Sequence, residues 1–229
     1  MTPNPIRIAI ASSQQLLLDA LANSFATKDD FEVVLRHSDF SQEPVEFREQ
    51  RPDLTLIDVD CEWEQAIEFS EKLRSHKLTG KIVFLAGPLS NWMVEQLLAV
   101  SPDGCISKAE TFDALHHYVA RIARGDVIFS ADIENRLTYV SSMKKYKLRD
   151  RSPLSRLTRE QRQIFRHLAR GDRVKDIAEK LQLSYKSVDS HKYRVMQKIG
   201  VHDRVELAHY AIREGMISLS QQPSPSRSA

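Results

Sequence analysis

Five short apolar runs recur through the first half of the chain with amphipathic stretches between them, and this alternation constrains the fold more than any other feature. The runs are Ile6–Ala11, residues 31–35, residues 54–59, Lys81–Ala86 and Gly104–Ser107. Their length and β-branched content read as strands. Between them, residues 14–25, 63–73, 92–100 and 112–124 place apolar side chains at helical spacing, as with Leu17, Leu18, Leu21 and Phe25. Strands alternating with helices predict a doubly wound α/β domain with a five-stranded parallel sheet. In such sheets chemistry gathers at the carboxyl ends of the strands.

Gly125 ends this pattern. Residues 132–140 predict one more helix, and residues 141–156 form a polar, basic linker with Lys144, Lys145, Lys147, Arg149 and Arg151, placed to touch phosphate. From Thr158 onward every segment is helical. Thr158 caps a helix over residues 159–170 with an apolar stripe of Ile164, Phe165 and Leu168, and Gly171 stops it. Val174–Leu181 is a second helix. Ser184 caps a third, Tyr185–Ile199, which Gly200 ends. Asp203 caps a fourth carrying Val205, Leu207, Ala208 and Ala211. The Ser/Gln/Pro-rich tail reads as disordered. The expected organisation is an α/β domain over 1–125, a helix and basic linker over 126–154, an all-α domain over 155–218 and a disordered tail over 219–229.

The formal net charge of +2 hides an asymmetry. Residues 1–125 carry 12 Lys and Arg against 19 Asp and Glu, a net of −7, and residues 126–229 carry 21 against 12, a net of +9. An acidic half followed by a basic half suggests that the second domain faces a polyanion. Cys61 and Cys105 are too few for a disulfide framework, lack metal-ligand spacing, and are expected as buried reduced thiols. No stretch approaches the ~18 apolar residues of a membrane span, and the first residues lack signal-peptide order. The expected setting is the cytoplasm, with no membrane partner, cofactor or metal.

The second and third C-terminal helices, joined by a tight turn, form a helix-turn-helix candidate. At 100° per residue from Val188, the apolar Val195, Met196 and Ile199 cluster between about −20° and 80°. The opposite side presents Lys186, Ser190, Tyr193 and Gln197, with Asp189 and Arg194 at its borders. Such side chains reach base edges or phosphates in a major groove. Asp189 has two readings: it accepts a hydrogen bond from cytosine N4, or it pairs with Lys192 and orients it.

The segments Leu157-Thr158, Leu168-Ala169-Arg170-Gly171, Lys175-Asp176-Ile177-Ala178, Leu183-Ser184, Ser187-Val188-Asp189-Ser190-His191, Met196-Gln197-Lys198-Ile199-Gly200-Val201 and Arg204-Val205-Glu206-Leu207 together resemble the LuxR-type helix-turn-helix of NarL/FixJ response regulators. The resemblance implies a four-helix domain that inserts its third helix in the major groove of double-stranded DNA and dimerises largely through its fourth. It implies base contact by Asp189, Ser190 and Tyr193, and phosphate contact by Lys175, Lys186, Ser187, Lys192, Arg194 and Lys198. A homodimer contact through Val205, Ala208 and Ile212 is expected. The family usually has Arg-Glu where this chain has Glu160-Gln161, Glu in place of Gln163, and in several members a cation in place of Asp189.

The first 125 residues resemble a response-regulator receiver, which is flavodoxin-like, on strand order and on Pro52-Asp53-Leu54-Thr55-Leu56-Ile57-Asp58 and Asp103-Gly104-Cys105-Ile106-Ser107-Lys108. By position, Asp58 matches the phosphoryl acceptor and Lys108 the lysine that contacts the phosphoryl group. The rest departs. Ser12 and Ser13 stand where two acidic residues hold Mg²⁺, Ala86 replaces a hydroxyl residue, Cys105 replaces an aromatic, and Cys61-Glu62-Trp63 replaces a Met-Pro-Gly turn. Serines contribute no charge to a hard cation. The preferred expectation is therefore that Asp58 is held in a hydrogen bond or ion pair with Lys108, and that the chain is a transcription regulator with an atypical receiver. The alternatives are an orthodox two-component regulator phosphorylated on Asp58 by a sensor kinase, and an interaction protein that titrates other regulators and binds DNA weakly. A ligand or another protein supplying the input also remains open. An enzyme is not expected: no Gly-rich phosphate loop exists among the seven glycines, and no residue is assigned a catalytic role.

Overall fold

The computed structural model describes residues 4–217, so the 219–229 tail lies outside the described residues. Among the described residues two compact units result, one of residues 4–88 and 96–149, the other of residues 89–95 and 150–217.

The first unit is built on a parallel sheet ordered β2-β1-β3-β4-β5-β6. Its strands are β1 (Ile6–Ala11), β2 (Phe31–His37), β3 (Leu54–Asp58), β4 (Lys81–Ala86), β5 (Gly104–Ser107) and β6 (Ile128–Phe129). The connecting helices are α1 (Gln15–Ala26), α2 (Val45–Gln50), α3 (Trp63–Ser75), α4 (Asn91–Ala99) and α5 (Phe112–Ala123). Strands buried on both faces need unbroken apolar runs, and β3 and β4 are buried almost throughout. Ile8 and Ile10 of β1, Leu54 and Leu56 of β3 and Val83 and Leu85 of β4 pack with Leu18, Leu21 and Phe25 of α1 and Leu115, Val119 and Ile122 of α5. The period of two then sends Ala9, Ala11, Ile57 and Phe84 to the other face. Near the end of β2, His37 stacks on Phe69 of α3 with ring centroids 4.7 Å apart, and burial lowers its imidazole pKa.

The sheet has six strands where five were expected. The sixth, only two residues long, pairs Ile128 with Gly104 and Phe129 with Cys105. A dipeptide has no periodicity to read. Its place beside β5 is secured by the next residue, since Ser130 N donates to the Cys105 carbonyl at 3.0 Å and Ser107 N donates to Ser130 Oγ at 2.7 Å. The helix expected over 132–140 forms only as α6 (Ala131–Glu134). Leu137–Val140 (β7) pairs antiparallel with Lys145–Leu148 (β8), inside the stretch read as linker. The run Leu-Thr-Tyr-Val favours a strand, and its partner across the turn lets Tyr139 meet Tyr146 with centroids 5.1 Å apart.

The second unit contains a 3-10 turn (Pro153–Arg156) and the helices α7 (Arg159–Ala169), α8 (Val174–Leu181), α9 (Tyr185–Ile199) and α10 (Arg204–Arg213). Each helix expected from the sequence is present within one residue. Three caps form as expected: Thr158 Oγ1 accepts from Gln161 N, Ser184 Oγ from Ser187 N, and Asp203 Oδ1 from Val205 N and Glu206 N. Gly171 and Gly200 take φ of +96° and +74°, the left-handed turn that ends a helix without a Cβ penalty. Ile164, Phe165, Leu168, Ile177, Val188, Val195, Ile199, Leu207 and Ala211 close one core. No helix among the described residues is long and apolar enough to cross a membrane.

Candidate nucleic-acid interface and receiver pocket

The recognition-helix candidate is α9. Its core-facing Val188, Val195 and Ile199 are buried against α7 and α8, which fixes its rotation. Lys186, Asp189, Ser190, Tyr193, Arg194 and Gln197 are all exposed, the side assigned to DNA by the helical angle. Tyr193 is 63 % exposed, a large ring left in water, and its hydroxyl accepts a 2.7 Å bond from Gln197 Nε2. Lys192 Nζ lies 2.9 Å from Asp189 Oδ1, so of the two readings of Asp189 the free chain realises the ion pair. A pair this exposed contributes about 0–1 kcal/mol and is easily exchanged for other partners. Lys175 is exposed on α8 and Ser187 is half-buried beside its cap.

Lys198 departs from the outward role expected of it. Its ammonium turns into the domain and donates to the Arg156 carbonyl at 2.9 Å and to Gln161 Oε1 at 2.7 Å. Gln161 also accepts from Thr158 N at 3.1 Å, completing a capping box. One buried amide thus joins the start of α7 to the end of α9. On α10, Val205 is 65 % exposed while Ala208 and Ile212 are half-buried.

The receiver pocket lies where strand order reverses between β1 and β3, at their carboxyl ends. Asp58 is 3 % exposed there. Its Oδ1 lies 2.6 Å from Lys108 Nζ and accepts from Asp60 N at 3.1 Å, and its Oδ2 accepts from Ser12 Oγ at 2.7 Å. Lys108 is placed by its own amide, which donates to the Ala86 carbonyl at the end of β4. Its ammonium is shared with Asp60 Oδ2 at 2.8 Å. Burial pulls the Lys108 pKa down, but the two carboxylates outweigh it and hold the group above the ordinary lysine range. The expected Asp58–Lys108 contact is present.

The sequence reading missed the partners on either side. Ser12 replaces an acid and supplies a hydroxyl donor to Asp58. Asp60, two residues beyond Asp58, closes on the same ammonium, and both of its carboxylate oxygens accept from Gly87 N, at 2.9 and 3.0 Å. The legible signal was a second carboxylate two residues beyond Asp58, with a glycine directly after Ala86. Cys61 also departs from expectation: it is exposed, and its sulfur accepts from Gln14 Nε2, whereas Cys105 is buried and its thiol pKa is pushed far up by desolvation.

These residues do not fit Mg²⁺. The ion needs hard oxygen ligands carrying negative charge, but Ser12 offers a neutral hydroxyl already bonded to Asp58, and an ammonium stands between the two carboxylates. Among the described residues no group of three His, Cys, Asp or Glu side chains is placed to hold a metal.

Two family models match the chain: the response regulator receiver domain over residues 8–120 and the luxR family of bacterial regulatory proteins over residues 155–211. Fimbriae Z protein of Escherichia coli K12 is 26% identical over 208 residues, covering 90% of this chain and 96% of that protein. Response regulator UvrY of the same strain is 27% identical over 164 residues, covering 72% and 74%. Among solved structures, the RcsB response regulator of Salmonella typhimurium superposes with a TM-score of 0.58 at 18% identity, covering 92% of this chain and 98% of that one. The same regulator bound to the rprA promoter gives 0.58 at 18% identity, covering 90% and 98%. With a receiver in its first half and a luxR-family domain in its last third, the chain belongs to the NarL/FixJ-type response regulators.

Proposed function

We propose that this chain is a cytoplasmic, dimeric transcription regulator that reads double-stranded DNA through α9, and that its receiver works without metal-dependent phosphorylation of Asp58. Regulators of this family are DNA-binding transcription factors rather than enzymes. RcsB, whose fold this chain shares, has been solved as two dimers bound to DNA. The exposed flank of α9 supports a groove-reading role, with Asp189, Ser190 and Tyr193 against base edges and Lys175, Lys186, Ser187, Lys192 and Arg194 against phosphates. Lys198 instead acts by holding α9 to α7. The exposed Val205, with Ala208 and Ile212, is the dimer contact. Two such helices related by a two-fold favour inverted half-sites about one helical turn apart.

One observation carries the receiver reading: both oxygens of Asp58 are already partnered, by Lys108 and by Ser12. Phosphoryl transfer depends on positioning and on neutralising the charge of the equatorial oxygens. Here one ammonium serves two carboxylates, and no metal carboxylates stand at positions 12 and 13. The domain therefore passes on an input from a protein or ligand contact and not from phosphoryl chemistry. Incubation of the full chain with acetyl phosphate and Mg²⁺, followed by intact mass, tests this. An unmodified mass is expected; a +80 Da species absent from Asp58→Asn overturns it.

A further inference from the structure

A cavity of about 570 Å³ opens at the amino ends of β5 and β6, the opposite ends of the strands from the pocket of Asp58. That volume falls within the ~300–1,000 Å³ of small-molecule sites. All of its lining residues belong to the first unit. Part of the lining is aromatic: Phe129 of β6, Tyr146 of β8 and Tyr139 of β7 follow one another with ring centroids 5.0 and 5.1 Å apart. Phe129 is buried, but Tyr139 is 51 % exposed, so ring surface remains for another planar group to cover. The charge of the lining is one-sided. Its two carboxylates are already matched, Asp103 by Arg74 and Lys81 at 3.0 Å each and Asp126 by Arg121 at 2.8 Å. Lys144 and Lys145 are exposed and pair with no carboxylate among the described residues. Lys144 also holds a φ of +50° in the turn before β8, where a glycine would carry no Cβ penalty. A long cationic side chain at so costly a backbone position points to a use for the side chain.

Two unmatched ammonium groups disfavour a cation and favour an anion, and the exposed tyrosine favours a flat ring over an alkyl group. We propose that this cavity binds a small aromatic carboxylate, its ring against Tyr139 and Tyr146 and its negative group beside Lys144 and Lys145. Contact of the two lysines with DNA phosphates, the role expected of a basic linker, would leave the exposed Tyr139 ring without a purpose. The site is separate from Asp58, so it gives the α/β domain a place for a ligand whether or not that aspartate is phosphorylated.

The test titrates the full-length chain with 2-naphthoate by calorimetry at constant ionic strength. Two controls divide the ligand: 2-naphthamide keeps the rings without the charge, and cyclohexanecarboxylate keeps the charge without an aromatic ring. Saturable binding of 2-naphthoate at one site is expected, at least tenfold tighter than that of either control. Tyr139→Ala, and Lys144→Ala combined with Lys145→Ala, should each weaken it at least fivefold. Tyr139→Leu gives the same readout with an apolar side chain retained, should the alanine variant not fold by circular dichroism. No saturable binding, equal affinity for either control, or undiminished affinity in the folded variants overturns the inference. So does a lysine variant that lowers the salt slope of duplex binding while 2-naphthoate affinity stays unchanged, since the lysines would then serve DNA. The outcome is separate from the acetyl phosphate test, which reads Asp58 alone.

Discussion

Ser12 Oγ donates to Asp58 Oδ2 across 2.7 Å, joining the carboxyl ends of β1 and β3. A carboxylate at position 12 would face Asp58 across the same gap with like charge. Ser12→Asp is therefore expected to cost about 1–3 kcal/mol, and millimolar Mg²⁺ to restore part of that loss. The wild type should show no change in Tm with Mg²⁺. Thermal denaturation of both proteins with and without the ion checks this, and an equal Mg²⁺ response in the two would count against the proposed loss of the metal site.

Removing Lys108 leaves a nearly inaccessible Asp58 carboxylate with only Ser12 and an amide as partners. Lys108→Met should destabilise the receiver by about 3 kcal/mol at pH 7, the lower end for a broken buried pair because the lysine is partly solvated. The folded lysine pKa lies above its unfolded value of about 10.4. Its contribution is then complete below that value and lost as the pH rises through the higher folded value. Urea titrations on the alkaline limb should show this loss in the wild type and its absence in Lys108→Met.

Asp103 titrates on the opposite side of neutrality. It accepts from Ile82 N at 3.0 Å and pairs with Arg74 and Lys81, each at 3.0 Å. Burial raises its pKa, but these three partners outweigh it and hold the carboxyl below the ordinary range. A depressed folded pKa stabilises above the unfolded value of about 3.9 and is lost as the pH falls through the folded one. Asp103→Asn should cost about 2 kcal/mol at pH 7 and flatten the acid limb of the stability profile. Unchanged acid unfolding in the variant contradicts the assignment.

On α9, Tyr193→Ala is expected to reduce the ratio of specific to non-specific affinity, while Lys186→Ala should weaken binding to every duplex and lower the salt slope by about one. Fluorescence anisotropy on selected and random duplexes at several salt concentrations separates the two effects. Equal affinity of the wild type for both duplexes defeats the reading of α9 as a sequence reader.

Gln161 is 4 % exposed, and its amide oxygen accepts from both Thr158 N and Lys198 Nζ. Gln161→Ala removes the reciprocal half of the capping box and leaves the Lys198 ammonium with the Arg156 carbonyl alone. A loss of about 1.5–3 kcal/mol in the α-helical domain is expected. Chemical denaturation, followed by circular dichroism at 222 nm, measures it.

Much of this fold was legible because local chemistry set it. The apolar runs of β1, β4 and β5 and the caps Thr158, Ser184 and Asp203 are each decided by neighbours within a few residues, and the structure returns them nearly residue for residue. The exposed flank of α9 follows from the same periodicity, since Val188, Val195 and Ile199 leave only one side free. The match of Asp58 and Lys108 was legible by position.

What the sequence by itself determined was therefore the order of β1 to β5 and of α7 to α10, the acidic and basic halves of the charge, and the face α9 turns to water. Only tertiary structure decided the pairings between residues far apart: β6 against β5, β7 with β8, the inward turn of Lys198, and the closure of Asp60 on Lys108 and Gly87. Two residues of β6 carry no period, and a charged side chain carries no address. Each takes its place only when distant parts of the chain bring up a backbone amide or carbonyl, or a side-chain amide or ammonium, for it to satisfy.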